Sequence, residues 1–153
     1  QLRHPRENAS LDDLSHRMDV VMIDAPCTGV GTWRRKPDAK WRVSEGALNK
    51  RLGEQAMILR TACNYVKPGG RLIYVTCSFL AEENEDQVTS FLADRSDFIM
   101  DDAAETAARS GQLTDKGAAL VRKLKRPDGS VRLTPLSAGS DGFFMAVMRR
   151  AGE

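Results

Sequence analysis

Two short apolar runs constrain this chain more than any other feature. Residues 20–23 (VVMI) and 72–75 (LIYV) are rich in β-branched side chains and are short enough to be buried strands. Between them we expect a helix with Ser44 as its N-cap and with Pro68-Gly69-Gly70 marking its end. One stripe of that helix is apolar: Leu48, Leu52, Leu59, Cys63 and Val66. A strand, a helix and a strand in this order predict an α/β fold with parallel strands and a right-handed crossover.

The rest of the chain continues this pattern. We expect a second helix to begin near Ser78. Carboxylates that suit the positive end of its dipole lie in its first turn: Glu82, Glu83 and Glu85. Its core face contains Val88, Phe91 and Leu92. Residues 98–100 and 143–148 are predicted strands, whereas residues 103–123 fit either a helix or a long loop.

Composition limits the setting in which the chain works. Its 153 residues are enough for one compact domain. No apolar run approaches the ~18–20 residues of a membrane span, and no signal-peptide pattern opens the chain. Three cysteines without framework spacing indicate a reducing compartment. We therefore expect a cytoplasmic protein, a monomer, with no membrane partner.

Cysteine placement gives the first indication of function. Cys27 and Cys77 each follow a predicted strand within a polar loop, whereas Cys63 lies on the helical stripe and is expected to be packing. Ligands of α/β sheets bind beyond the carboxyl ends of the strands. We expect the two loop thiols to face one crevice, although either cysteine taken alone also fits inert packing.

Other uses of these residues fit less well. A metal site needs clustered ligands, but His4 and His16 are far apart and both precede the first strand, so we expect no metal. The spacing from Cys27 to Arg34 is one residue too long for the loop of cysteine phosphatases. Gly29 and Gly31 by themselves indicate only a flexible turn.

The remaining chemistry is nucleophilic addition to a pyrimidine base. Cytosine C5 is too weak a nucleophile to take a methyl group directly, but a thiolate that adds to C6 increases the electron density at C5. An acid near N3 stabilises the developing charge, and a second group must handle the proton that leaves C5. Asp24, Cys27 and Cys77 are the residue types that this reaction requires.

The motifs around these residues resemble a known family, the RNA cytosine-5 methyltransferases of the NOL1/NOP2/Sun family, which includes bacterial 16S ribosomal RNA enzymes. In chain order the matching motifs are DAPCTG (24–29), RR (34–35), KPGGRL (67–72), TCS (76–78), EENE (82–85), LTP (133–135) and DGFF (141–144). Ala81 departs from the proline that often precedes Glu-Glu-Asn in the family. Together the two cysteine motifs are highly specific.

This resemblance implies roles for single residues. Cys77 would be the nucleophile on C6, and Cys27 would assist breakdown of the adduct. Asp24 and the Pro26 backbone would hold the edge of the base. Asp24, Ala25 and Pro26 would also contact the cofactor, S-adenosylmethionine. The implied fold is a Rossmann-like S-adenosylmethionine-dependent methyltransferase domain with an antiparallel final strand.

The same resemblance implies that part of such a domain is missing. The family's cofactor site lies mainly in a first half with a glycine-rich turn, and no such turn precedes residue 20. We expect residues 1–18 to be a lead-in segment and residues 19–153 to form the C-terminal part of a methyltransferase catalytic domain. Two hypotheses follow: a longer parent enzyme methylates RNA, and the chain alone is a non-catalytic fragment that at most contacts RNA. An amino-methyltransferase fits less well, because the aromatic residue of its loop is lacking.

The predicted loop over residues 24–43 carries the candidate RNA contacts. Structured RNA, from the ribosome by resemblance, is the expected partner. Phosphates would be met by Arg34, Arg35, Lys36, Lys40 and Arg42. Trp33 and Trp41 either stack on splayed bases or pack the loop onto the domain. Residues 31–60 carry eight Lys and Arg against three Asp and Glu, which suits nucleic acid but also an ordinary solvated surface.

Overall fold

A computed structural model describes residues 11–152 of the chain. In this part of the chain five strands form one mixed sheet: β1 (Met18–Asp24), β2 (Val66–Thr76), β3 (Phe98–Asp101), β4 (Val131–Leu133) and β5 (Phe143–Arg150). The order is β1-β2-β5-β3, and β4 pairs with β5 as well. β1 and β2 are parallel, and β5 lies antiparallel between β2 and β3. This confirms the α/β fold and the antiparallel final strand.

Helices cover the sheet from both faces. They are α1 (Glu45–Ala62), α2 (Glu85–Asp94), α3 (Ala103–Ala108), α4 (Asp115–Lys123) and the short α5 (Pro135–Ala138). Because side chains alternate along a strand, β2 contributes to two cores. Leu72 and Tyr74 pack with Leu59 of α1 and Phe91 of α2, while Ile73 packs with the core on the other face. No helix among residues 11–152 is long and apolar enough to cross a membrane.

The first helix is shorter than predicted. It starts after Ser44, whose hydroxyl accepts a hydrogen bond from the Ala47 backbone as expected of an N-cap. It ends at Ala62, and Val66 already belongs to β2. Pro68-Gly69-Gly70 therefore does not end the helix. Met18 pairs with Val66 and Val20 with Arg71, so residues 67–70 form a bulge within β2.

The second helix begins later than predicted. α2 starts at Glu85 rather than near Ser78, so Glu82 and Glu83 lie in the turn before it. Glu83 is fully buried instead of facing solvent at a helix end. Residues 103–123 form two helices, α3 and α4, and strand β4 was not predicted. β4 pairs with residues 143–145 of β5, and β3 pairs with residues 147–150 on the same side of β5.

Candidate active site at the carboxyl ends of two strands

The two loop thiols meet where β1 and β2 end. Asp24 of β1 pairs with Val75 of β2, so the parallel strands reach the same edge of the sheet together. The sulfur atoms of Cys27 and Cys77 lie 3.2 Å apart, within hydrogen-bonding distance, and both side chains are half-buried. The two loop thiols thus lie together at this edge of the sheet, as expected, and their shared crevice stays a prediction.

Close backbone contacts hold the two turns together. The Gly31 N–H donates to the Cys77 carbonyl at 3.0 Å, and the Gly142 N–H donates to the Gly31 carbonyl at 2.8 Å. A Cβ atom at Gly31 would lie 2.6 Å from the Gly142 carbonyl oxygen and 2.7 Å from that of Cys77. Gly31 is therefore a point of close packing between three chain segments, and more than the flexible turn that the sequence indicated.

A buried carboxylate supports the Cys27 turn. One oxygen of Glu83 accepts from the Thr28 backbone N–H at 2.8 Å, and the other accepts from the Thr28 hydroxyl at 2.6 Å. The Gln55 side-chain amide from α1 donates to the same carboxylate at 3.2 Å and to the Pro26 carbonyl at 2.9 Å. Glu83 and Gln55 are fully buried. Two side chains distant in sequence thus hold the residues on either side of Cys27.

The neighbouring Asn84 supports the Cys77 turn in a similar way. The Thr76 hydroxyl donates to the Asn84 side-chain oxygen at 2.6 Å, and the Asn84 amide donates to the Ser78 carbonyl at 3.1 Å. All three residues are fully buried. Consecutive residues before α2 therefore hold the two cysteine turns, one each.

Electrostatics distinguishes the two thiols. The hydrogen bond from Cys27 lowers the pKa of Cys77 to about 7, although burial and the carboxylates of Asp24 and Glu83 oppose ionisation. The same contact, together with burial, raises the pKa of Cys27. In this arrangement Cys27 keeps its proton and donates it to a Cys77 thiolate. Of the two thiols, Cys77 therefore ionises more readily.

The three residues predicted to contact the cofactor, Asp24, Ala25 and Pro26, differ in exposure and in hydrogen bonding. Asp24 is exposed, and its carboxylate has no hydrogen-bond partner among residues 11–152. Ala25 is buried, and its N–H donates to the Val75 carbonyl at 2.9 Å. The Pro26 carbonyl, predicted to hold the base, accepts from Gln55. Of the three residues, only Asp24 offers a free polar side chain.

A mainly apolar cavity lies near the carboxyl ends of β1 and β2, on the face of β1 that carries Asp24, although Asp24 itself is not in its lining. Met22 shares a face of β1 with Asp24 and lines a cavity of about 570 Å³, together with Val75, Phe143 and Met145. A free carboxylate near a mainly apolar cavity suits a ligand with hydroxyl or amino donors and a flat ring. The residues present therefore fit one wall of an S-adenosylmethionine site. The glycine-rich wall that the resemblance implies is not among residues 11–152.

The predicted RNA-binding residues divide into two groups. Arg34 and Arg35 both form ion pairs with Asp141, the Arg34 pair at 3.3 Å, and Arg42 pairs with Asp38 in the following short 3₁₀ helix (Pro37–Arg42). Lys36 and Lys40 form no ion pair within residues 11–152, and both are exposed. A cavity of about 190 Å³ lies between this loop and Cys27; its lining includes Cys27, Thr28, Arg42 and Arg51.

The two tryptophans have different surroundings. Trp33 contacts Phe79 edge to face, with ring centroids 6.3 Å apart, and so packs the loop onto the domain. Trp41 is 80% exposed and has the Lys40 ammonium 4.6 Å from its ring centre. Packing thus accounts for Trp33, while Trp41 presents a free aromatic face.

The sequence predicts that Cys63 is inert packing and that the two histidines do not bind a metal. Cys63 is fully buried in the 3₁₀ turn (Cys63–Tyr65) between α1 and β2, as expected of a packing residue. His16 contacts Arg150, far from the thiols, and His4 lies outside the described residues. Among residues 11–152 no group of three His, Cys, Asp or Glu side chains could hold a metal ion.

Comparison with known proteins identifies the chain. A family model described as "16S rRNA methyltransferase RsmB/F" matches residues 3–149. The chain belongs to the RsmB/F family. This confirms the predicted resemblance, because the match includes both cysteine motifs and the Glu-Glu-Asn segment.

Relatives in the RsmB/F family are longer than this chain. It is 36% identical over 139 residues to the probable ribosomal RNA small subunit methyltransferase B of Bacillus subtilis, which covers 90% of this chain and 29% of the relative. It is 33% identical over 135 residues to the ribosomal RNA small subunit methyltransferase B of Shewanella oneidensis (88% and 28%). The crystal structure of PH0851 superposes with a TM-score of 0.71 at 32% identity, covering 89% of this chain and 27% of that one. The chain thus spans less than a third of the length of each.

Proposed function

We propose that residues 19–153 form the C-terminal part of the catalytic domain of an enzyme that methylates C5 of cytosine in ribosomal RNA. The observation that carries this proposal is the 3.2 Å contact between Cys27 and Cys77 at the carboxyl edge of the sheet. Membership of the RsmB/F family supports the reaction class and the RNA substrate. S-adenosylmethionine supplies the electrophilic methyl group when bound.

Cys77 makes the covalent bond in this proposal. Its thiolate adds to C6 of the cytosine, a C6–S bond forms, and the π electrons of the C5–C6 double bond shift to C5, which becomes nucleophilic. The lowered pKa of Cys77 supplies thiolate near neutral pH. In this proposal the exposed carboxylate of Asp24, at the same edge, contacts the polar side of the base.

Cys27 helps to break that bond. C5 must lose its proton after methylation, and the group that accepts it must be a base. Once Cys77 is bound to C6 its sulfur is uncharged, so the contact that raised the pKa of Cys27 is lost, and the half-buried Cys27 thiol releases its proton to solvent before this step. The Cys27 thiolate then takes the C5 proton, the double bond forms again, and the C6–S electron pair returns to Cys77.

RNA contact is assigned to the exposed part of the basic loop. Lys36, Lys40 and the free face of Trp41 can meet phosphates and a stacked base. The chain alone contacts RNA without transferring a methyl group, because its described residues supply one wall of the cofactor site. Catalysis is assigned to the longer protein that also contains the rest of that site.

Opposite phenotypes of the two cysteine variants test the chemistry. In the longer protein, Cys77→Ala removes the nucleophile, so no covalent protein–RNA complex should form. Cys27→Ala leaves attack possible but removes the group that resolves the adduct, so the complex should accumulate. A denaturing gel of each variant with 16S ribosomal RNA and S-adenosylmethionine measures this, with Cys63→Ala as the matched control. A shifted band from Cys77→Ala, and none from Cys27→Ala, would reverse the two roles.

The salt dependence of RNA binding tests the assigned contacts. For single-stranded RNA each lost phosphate contact should reduce the slope of log affinity against log salt by about 0.7. Lys36→Ala with Lys40→Ala should therefore flatten the slope by about 1.4. Arg34→Ala with Arg35→Ala should flatten it less, because Asp141 already pairs with both side chains. Equal effects of the two double variants would show that the Asp141 pairs open when RNA binds.

A further inference from the structure

Glu83 occupies an unusual position for a glutamate. It follows β2 in a turn, yet its side chain is fully buried and accepts three hydrogen bonds. Two come from Thr28, the residue after Cys27, and one from Gln55, which also binds the carbonyl of Pro26, the residue before Cys27. A buried carboxylate is costly unless its oxygens are satisfied by donors in fixed positions. Here both donors belong to or contact the Cys27 turn: Thr28 follows Cys27, and Gln55 binds the Pro26 carbonyl.

The contacts of Glu83 connect the two cysteine turns through the protein interior. Its backbone carbonyl accepts from the Tyr74 hydroxyl at 2.7 Å, which fixes the segment to β2. The next residue, Asn84, binds the Cys77 turn at Ser78. A single short segment therefore contacts both turns and, together with the Gly31 backbone contacts, sets the distance between the two sulfur atoms.

We propose that Glu83 is a positioning residue, whose carboxylate holds the Cys27 turn, through Thr28 and Gln55, so that the Cys27 thiol can donate to Cys77. The proposal rests on the proposed function only for the roles of the two thiols. Glu83 itself does not contact the sulfur atoms within hydrogen-bonding distance, so its effect on Cys77 passes through the position of Cys27.

Charge and position act on Cys77 with opposite signs, which makes the proposal testable. The groups that act on the Cys77 thiol are Cys27, Asp24 and Glu83, and Tyr74 lies near Cys27 and Glu83. The Glu83 charge raises the pKa of Cys77 by repulsion, whereas the hydrogen bond from Cys27 lowers it. If Glu83 acted by its charge alone, its neutralisation would make Cys77 more acidic. If it acts by position, loss of its contacts makes Cys77 less acidic.

The measurement is the pH profile of Cys77 alkylation by iodoacetamide, followed by peptide mass spectrometry on the 153-residue chain. Glu83→Asp keeps the charge but shortens the side chain, so that the carboxylate cannot span both Thr28 donors. The midpoint of the profile should rise from about 7 toward the ordinary thiol value of about 8.5. Because a less acidic thiolate is also more nucleophilic, the rate at pH 6 should fall only about fivefold. Glu83→Gln should raise the midpoint as well, by less.

Matched variants separate positioning from a general loss of stability. Glu85→Gln changes a carboxylate two residues away that pairs with Arg126 and Arg132 and contacts neither cysteine turn, so its midpoint should stay near that of the unchanged chain. Thr28→Val removes one donor to Glu83 and should give part of the shift. Thr28→Ser keeps both donors and should restore the original profile.

Several outcomes would overturn the proposal. They are an unchanged midpoint in a folded Glu83→Asp variant, a midpoint lowered by Glu83→Gln, or an equal shift in Glu85→Gln. If both Glu83 variants fail to fold, the Thr28 pair decides, and equal midpoints for Thr28→Val and Thr28→Ser overturn it. The two proposals can fail separately. If the Glu83→Asp variant of the 153-residue chain shows the raised midpoint but the longer protein forms no RNA adduct, the proposed function is refuted and the positioning role stands.

Discussion

Thiols lie near both ends of β2, and their neighbours differ. At the carboxyl end, Cys77 has another thiol 3.2 Å away and the carboxylates of Asp24 and Glu83 nearby. At the amino end, Cys63 is fully buried, and the Arg95 guanidinium donates to its sulfur at 2.6 Å. A cation is usually the feature that activates a cysteine. Between Cys63 and Cys77, the thiol beside the cation has the raised pKa, and the thiol near carboxylates has the lowered pKa.

The partners of the Arg95 guanidinium explain this difference. Arg95 forms two hydrogen bonds with Asp97, at 2.8 and 2.9 Å, and Asp97 also pairs with Arg150. The cation near Cys63 is thus largely compensated by a carboxylate, and burial dominates the Cys63 pKa. Cys77 is half-buried and receives a hydrogen bond that favours its charged form. A cysteine is therefore better judged by its exposure and its direct donor than by the nearest charge.

Alkylation rates give the largest expected contrast between the two ends. In the native chain at pH 7.5, iodoacetamide should modify Cys77 at least about 100-fold faster than Cys63, because only an accessible thiolate reacts. Only the deprotonated thiol reacts, so the Cys77 rate should rise with pH through about 7 and level off above it. Peptide mass spectrometry over a time course measures both sites in one sample.

Unfolding the chain provides the control for this contrast. In concentrated guanidinium chloride all three cysteines should react at rates within a few-fold of one another, with ordinary midpoints of about 8.5. A native Cys63 that reacts as fast as Cys77 would show that the amino end of the sheet opens readily. The comparison between buried and active thiols would then fail.

The sequence predicts the strands and the thiol pair for a clear physical reason. Residues 20–23 and 72–75 are continuous apolar runs, and a cysteine a few residues after each run is expected at the same edge of a parallel sheet. Helix and strand boundaries depend on tertiary contacts instead. Val66 has the helical spacing of Leu59 and Cys63, yet pairing with Met18 places it in β2.

The supporting residues of the site could not be predicted in the same way. Glu83 and Glu85 stand two residues apart in one acidic segment, but the first is fully buried against the Cys27 turn and the second is paired with two arginines. Local sequence gives both the same interpretation as helix-dipole partners. Only the approach of Thr28 and Gln55, 55 and 28 residues away in the chain, distinguishes them.

Two crowded glycines give a smaller contrast between the same two ends. A Cβ atom at Gly31 would lie 2.6 and 2.7 Å from two carbonyl oxygens at the thiol end, and one at Gly70 would lie 2.9 Å from two carbonyl oxygens at the amino end. Substitution of either by alanine forces backbone to move and should lower the free energy of unfolding by about 1–3 kcal/mol. Gly53→Ala in α1, where nothing lies within 4 Å, should raise it by about 0.5–1 kcal/mol. Urea unfolding of the three variants measures these changes.

The thiols distinguish the two destabilised variants. Gly31 contacts the Cys77 carbonyl directly, so its displacement should separate Cys77 from Cys27 and raise the alkylation midpoint of Cys77. Gly70 lies in the bulge between β1 and β2, where movement changes the pairing near Met18 and leaves the carboxyl ends in place. Gly70→Ala should therefore lose stability with an unchanged Cys77 midpoint. If Gly70→Ala moved that midpoint as far as Gly31→Ala does, the thiol pair would depend on overall stability, and the two ends of the sheet would not be independent.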